Sequence, residues 1–241
     1  MKDKQLQEIE TTEERKNSPC QPLLDGFCAD KFLEGSSFDK AVEKPSLMLH
    51  SCCGPCSTAV VERLVDEFNV TVYYYNPCIT DEEEYRRRRD NQIQFIEQFN
   101  EENIGKYKVN FLEGPYNPGA FFEAARGLEE EPEGGRRCVE CFKQRMEKTA
   151  EAAQMAGCDY FGTTLTVSPH KNYELISEIG KKVAIKFRLS FLDRNFKKKD
   201  GFKRSIELSK KYGLYRQNYC GCEFSKWEGM DEEQNRSGTE K

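Results

Sequence analysis

Histidine is nearly missing from this chain of 241 residues, which has two copies, and tryptophan occurs once. A metal site here would therefore have to be built on sulfur or oxygen rather than on several imidazoles. No run of about 18 apolar residues occurs, so no membrane-spanning helix is expected, in keeping with 37% hydrophobic against 33% charged residues. The opening stretch MKDKQLQEIETTEERKNS lacks the apolar core of a secretory signal, and its acids argue against a transit peptide. The expected compartment is the cytoplasm. Neither a G-x-x-x-x-G-K-[ST] loop nor a glycine-rich repeat is found, so ATP binding is not expected. The length is enough for a sizeable core without covalent staples.

What the chain has in excess is cysteine, with 11 residues. In a reducing cytosol such a number points to metal binding or redox chemistry more than to structural disulfides, although single cysteines also serve as small core residues. Cys52, Cys53 and Cys56 lie in SCCGPC, a turn at an expected helix N-terminus, where free amides and the helix dipole favour thiolates. Cys138 and Cys141 form CVEC, a spacing that lets both sulfurs reach one metal centre from the first turn of a helix. Cys220 and Cys222 form CGC between Tyr219 and Phe224. Seven sulfurs with so little histidine suit zinc or iron-sulfur and not magnesium. Four would fill one centre and leave three for a second centre or a redox pair. Cys20, Cys28, Cys78 and Cys158 read as ordinary positions.

Two other readings compete. Cys53-Gly54-Pro55-Cys56 is the dithiol sequence of thioredoxins and sits between a strand and a helix, which suggests a disulfide oxidoreductase working through Cys53 and Cys56. Yet Cys52 stands where tryptophan is usual, and that reading leaves Cys138, Cys141, Cys220 and Cys222 unused. A zinc-ordered module that binds RNA and turns nothing over is the other alternative.

Net charge is -5, and the acidity sits at the ends. The first 44 residues carry 7 basic and 10 acidic side chains, residues 228 to 241 carry 2 and 5, and the span between them is close to neutral. Residues 181 to 204 hold 10 Lys/Arg against Asp193 and Asp200, a candidate polyanion footprint. Within it Arg194, Lys197, Lys198, Lys199, Lys203 and Arg204 interleave with Phe196 and Phe202, as a single-stranded RNA platform requires; the plainer reading is a basic surface helix and its approach. The Arg86 to Arg89 run reads as a solvated helix face paired with Glu82, Glu83 and Glu84.

Strand and helix patterns alternate along the middle of the chain. Strands are expected at Ser46 to His50, Asn69 to Tyr75, Lys106 to Leu112 and Tyr160 to Val167. Helices are expected at Ser57 to Phe68, Asp81 to about Asn103, Val139 to Ala156, Asn172 to Lys186 and about Gly201 to Tyr212, with a short one between residues 117 and 137. This order predicts an α/β domain, a parallel sheet with helices on both faces, over residues 45–227. A polar, partly disordered extension (1–44) would precede it and an acidic disordered tail (228–241) follow. Sites in such sheets lie at the carboxyl ends of the strands, so SCCGPC, the NPC segment ending in Cys78, and SPH with His170 should share one edge. His170 is a candidate proton donor or a structural cap there.

LHSCCGPCS, YYYNP followed by EEYRRR, CVEC, FGTTLTVSPHKN and YRQNYCGC, in this order, resemble the QueH-type epoxyqueuosine reductases from about Leu47 to Phe224. The resemblance implies a fold of the adenine-nucleotide-hydrolase-like (HUP) type. It also implies two-electron removal of the epoxide oxygen from epoxyqueuosine at the tRNA wobble position, the last step of queuosine synthesis, without cobalamin. On the same ground Cys52, Cys53, Cys138 and Cys141 would hold a [4Fe-4S] cluster, Cys220 and Cys222 would form a redox-active disulfide, and Cys56 would help hold a second, mononuclear metal, iron or zinc. The partners implied are tRNA carrying epoxyqueuosine and an unidentified electron donor. Two positions depart from the pattern: Cys78 stands in place of asparagine, and Asn195 in place of an acid before Phe-Lys-Lys. Asp193 would have to supply that acid's ligand to the second metal.

Overall fold

The structure, a computed structural model, describes residues 44–225. The expected acidic tail, and the extension up to residue 43 with Cys20 and Cys28, lie outside the described residues. Five strands form one all-parallel sheet: β1 (Ser46–His50), β2 (Asn69–Tyr74), β3 (Asn110–Glu113), β4 (Tyr160–Thr163) and β5 (Ser190–Phe191). Their spatial order is β3-β2-β1-β4-β5, so the winding reverses between β1 and β4. The helices are α1 (Gly54–Leu64), α2 (Glu82–Glu102), α3 (Pro118–Ala125), α4 (Arg136–Met155), α5 (Tyr173–Phe187) and α6 (Gly201–Lys211). The expected architecture holds, and it fits the HUP type. None of the described helices is long and apolar enough to cross a membrane.

Residues of period two sort the core into two layers. Leu47, Leu49, Val70 and Val72 pack with Val60, Val61, Leu64, Phe95 and Leu208 on the face covered by α1, α2 and α6. Met48, Tyr73 and Phe161 pack with Phe142, Met146, Ile176 and Ile179 on the face covered by α4 and α5. Capping sets the helix starts: the Asp81 carboxylate accepts from the amides of Glu83 and Glu84 at 3.0 and 3.1 Å, and Asn172 accepts from Leu175 at 3.0 Å.

Among the boundaries that differ from the pattern, three have a local reason. The strand expected to run to Val167 stops at Thr163, whose hydroxyl accepts the Leu165 amide at 3.1 Å and starts a 3-10 turn over Leu165–Val167. The strand expected from Lys106 begins at Asn110, because the Asn100 side chain takes both backbone groups of Val109, at 2.8 and 2.9 Å. Helix α1 begins at Gly54, three residues early, with Pro55 in its first turn, where the missing N–H costs nothing. Strand β5 has two residues and carries no periodic signal.

The basic segment after β5 is fastened to α1. The Arg63 guanidinium donates to the carbonyls of Lys198 at 2.9 Å and Lys199 at 2.7 Å, and the chain then passes through left-handed Lys199 and Asp200 into α6. Gly201 is obligatory at this point, since a Cβ there would stand 1.8 Å from the Phe196 carbonyl oxygen. We expect Gly201→Ala to cost about 1–3 kcal/mol, the usual range for overpacking, read as a lowered midpoint in denaturant unfolding. An unchanged midpoint would show that the turn relaxes freely.

Candidate metal centre

The loop after β1 is pinned from several directions. Ser51 donates its amide to Tyr73 O at 2.9 Å and accepts at its own carbonyl from the Asn76 side chain at 2.9 Å. Its hydroxyl and that of Ser57 lie 2.6 Å apart and both donate to Gln92 Oε1 on α2. The polar knot leaves little freedom to Cys52 and Cys53, whose sulfurs lie 3.9 Å apart. The sulfurs of Cys52, Cys53 and Cys56 all fall within 4.8 Å of one another, a group able to hold a metal ion. Cys53, the extended residue capping α1, also accepts from Gln217 Nε2 at 3.0 Å. Hydrogen bonds from Cys52 and Cys56, with Arg88 nearby, hold the Cys53 thiol well below its ordinary pKa, whereas its two donors are pushed up.

Helix α4 supplies the second set. Cys138 and Cys141 lie in its first two turns, facing inward, and Cys138 accepts from the Gly134 amide at 3.2 Å. Cys141 packs with Cys78 and Cys222. Cys78, expected to be an ordinary position, belongs to the site: it is 1% exposed, and the Cys141 thiol bonds to it and holds it below the usual thiol range. Its place at the end of β2 was in the sequence, but nothing there connected it to Cys141.

The third set is held by an arginine that the sequence pattern assigns to a solvated face. Arg86 does form the expected exposed pair with Glu82. Arg88 instead is 1% exposed, bonds Glu84 at 2.6 Å, and donates to the carbonyls of Cys220 at 2.9 Å and Tyr219 at 3.3 Å. The i,i+4 pattern of Glu and Arg is the same for both residues, so only packing separates them. Between the cysteines Gly221 adopts φ +118, and a Cβ there would stand 2.9 Å from both Arg88 Nη1 and Ile79 Cγ1. Cys220 accepts from Lys171 Nζ at 3.6 Å. Among the described residues every cysteine is a free thiol, Cys220 and Cys222 included.

Other candidates fall elsewhere. His170 is exposed, and its neighbour Lys171 is the residue that reaches a thiol. The other histidine, His50, is buried against Thr163 and Tyr75 O, and burial lowers its pKa to about 4, so it is neutral near pH 7. Asp193 does not join the sulfur group: Tyr173 and Ser177 each donate to it at 2.8 Å, and Lys181 pairs with it at 2.7 Å. In the basic segment Phe196 is 4% exposed and part of the core, so it offers no stacking surface, while Phe202 lies against Arg216. Arg194 and Arg204 are paired with Glu67 and Glu62, and Lys197 donates to Lys171 O at 2.7 Å. Lys198, Lys199 and Lys203 are exposed.

The fold and site define an α/β protein with thiols gathered at the carboxyl edge of its parallel sheet, three of them close enough to hold a metal ion. The sequence model of the family described as Epoxyqueuosine reductase QueH matches residues 47–228. A Streptococcus pyogenes protein of that name is 43% identical over 195 residues, covering 80% of this chain and 76% of its own length. Its namesake from Staphylococcus epidermidis is 43% identical over 192 residues, 79% of this chain and 80% of that protein, and one from Staphylococcus aureus is 40% identical over 190 residues, 78% of each. The chain belongs to the QueH family of epoxyqueuosine reductases and is an oxidoreductase.

Gly221 is a position where the site is sensitive to a single methyl group. Forcing a side chain into this left-handed, crowded place should cost about 1–3 kcal/mol in Gly221→Ala. Unfolding of the reduced, metal-free protein measures this cost, and a midpoint equal to that of the unmodified chain would refute the crowding.

Proposed function

We propose that this chain reduces epoxyqueuosine in tRNA to queuosine. The epoxide takes up two electrons and two protons, its oxygen leaves as water, and a carbon-carbon double bond remains. The observation that carries the reading is the gathering of thiols from the β1–α1 loop, the start of α4 and the CGC segment in a chain matched by the QueH family over residues 47–228.

The donor set suits a [4Fe-4S] cluster. It consists of buried or half-buried thiols, its closest group contains no carboxylate, and the cations Arg145 and Lys171 lie among them. Cys52, Cys53, Cys138 and Cys141 would hold the cluster, which when bound supplies electrons one at a time. Cys56 would serve a second metal, iron or zinc. Cys220 and Cys222, as a dithiol passing to a disulfide, release the two electrons and two protons that the epoxide requires, and an external electron donor restores them. Gln217 orients Cys53, Arg88 orients Cys220 through its carbonyl, and the Lys171 ammonium faces the Cys220 sulfur. Tethered on both sides by Arg63 and Gly201, the exposed lysines of the 194–204 segment would meet the tRNA backbone.

Anaerobic purification followed by iron, sulfide and zinc assays and incubation with epoxyqueuosine-tRNA tests the reading. About four irons and four sulfides per chain are expected, with conversion to queuosine, and both should vanish in the double variant Cys138→Ser, Cys141→Ser. A protein that takes up no iron and reduces disulfides through Cys53 and Cys56 would replace this reading by the dithiol one. Zinc with tRNA binding and no turnover would leave the binding module.

Replacing Lys198, Lys199 and Lys203 together by Ala should weaken tRNA binding and flatten its salt dependence, by about 0.7–0.9 in the log-log slope for each phosphate that is no longer neutralised. Binding isotherms at several salt concentrations read this directly. An unchanged slope would take the segment out of the interface.

A further inference from the structure

Among the described residues three arginines are almost wholly buried, and two of them have visible employment. Arg88 pairs with Glu84 and clamps two carbonyls, and Arg137 donates to the carbonyls of Leu128, Glu129 and Glu131 beneath the Phe224 ring. Arg145 differs. It projects from α4 one turn beyond Cys141, is 1% exposed, and makes no ion pair with an acidic side chain among the described residues. Its Nε donates to Cys141 O at 3.2 Å, and its Nη2 is buried with no hydrogen-bond partner. A guanidinium does not neutralise itself by losing a proton, so a buried one without an anion carries a large desolvation cost. The groups whose charge it feels most are the thiols of Cys141, Cys78, Cys220 and Cys52. His50 beside it is neutral and Lys171 is cationic, so neither supplies the missing negative charge. At 1% exposure a nucleic-acid phosphate has no access to it either.

We propose that Arg145 is a positioning residue of the redox centre: its buried guanidinium, which has no acidic partner, is the counter-charge for the anionic iron-sulfur group held by Cys52, Cys53, Cys138 and Cys141, with the unpartnered Nη2 as the donor available to it. This rests on the cluster reading given above. A fixed positive charge there stabilises the more negative, reduced state and raises the reduction potential, because net charge and hydrogen bonds to sulfur set that potential. It also ties loading to folding, since the buried charge gains its partner only when the group is bound. Cys78, bonded to Cys141 beside it, belongs to the same environment.

The test compares the full-length unmodified chain with Arg145→Met, which keeps the bulk and removes the charge, and Arg145→Lys, which keeps the charge and loses the fork. All three are reconstituted anaerobically, and three quantities are read: the cluster midpoint potential, resistance of the iron to a chelator, and the thermal midpoints of the apo and loaded proteins. In Arg145→Met the potential should move negative, iron should be lost at about tenfold lower chelator concentration, and the thermal gap between loaded and apo protein should shrink while the apo midpoint holds or rises. Arg145→Lys should keep its potential near that of the unmodified chain. A loaded Met variant with an unshifted potential, or a Lys variant shifted as far as Met, would overturn the counter-charge assignment alone. Equal destabilisation of apo and loaded forms would reduce Arg145 to packing and overturn it as well. An unmodified chain that takes up no iron and sulfide would overturn it together with the cluster reading, a different and separable result.

Discussion

Parallel pairing of β1 with β2 on one side and β4 on the other is the constraint on which the rest of the molecule depends. It sends the loops after β1 and β2, and the 3-10 turn after β4, out of the same edge at the point where the winding reverses, the place where open α/β sheets collect their ligands. The β1 loop brings Cys52, Cys53 and Cys56 there, and the β2 loop brings Cys78. The turn after β4 leads to Lys171. Helix α4 packs on one face of the sheet and carries Cys138, Cys141 and Arg145 on its buried side.

Sulfur at this edge is kept polar rather than merely buried. Cys53 in the β1 loop and Cys78 after β2 each receive a hydrogen bond from a neighbouring thiol and are driven toward the thiolate, while the donors Cys56 and Cys141 are driven the other way. Arg88, Arg145 and Lys171 converge on the sulfurs from three different elements, and no carboxylate enters the closest group. Such an arrangement is costly as a bare core and favourable as a receptacle for negative charge, which is the physical content behind reading it as a ligand shell. Membership in the QueH family gives the chain its class, an oxidoreductase.

Much of this is legible along the chain itself. The alternation of NVTVYY with an acid-capped, amphipathic α2 names a strand and a helix, and Asp81 and Asn172 mark helix starts by capping chemistry that depends on neighbours two or three residues away. Three cysteine clusters stand out by spacing alone. The misjudged residues are those whose role depends on a distant partner. Arg88 and Arg86 carry the same local charge pattern, yet one is sealed under the CGC segment and the other is exposed. Phe196 looks like an RNA platform because lysines flank it, but it fills the core beneath α1 and α6. Asp193 looks like a ligand because an acid is wanted there, and Tyr173, Ser177 and Lys181 occupy it.

By itself the sequence determined the fold class, the order of the elements other than β5, the sulfur-rich character of the site and the family, because hydrophobic period, capping and motif spacing are read over a few residues or along the chain. Only the tertiary structure decided which charges are spent and which remain. It paired Arg194 with Glu67 and Arg204 with Glu62, joined Cys78 to Cys141, set Lys171 rather than His170 at a thiol, and left Arg145 buried without an acid. The reason is that the energy of a charge or a thiol is set by desolvation and by partners far away in the chain, and those are fixed only when the sheet closes.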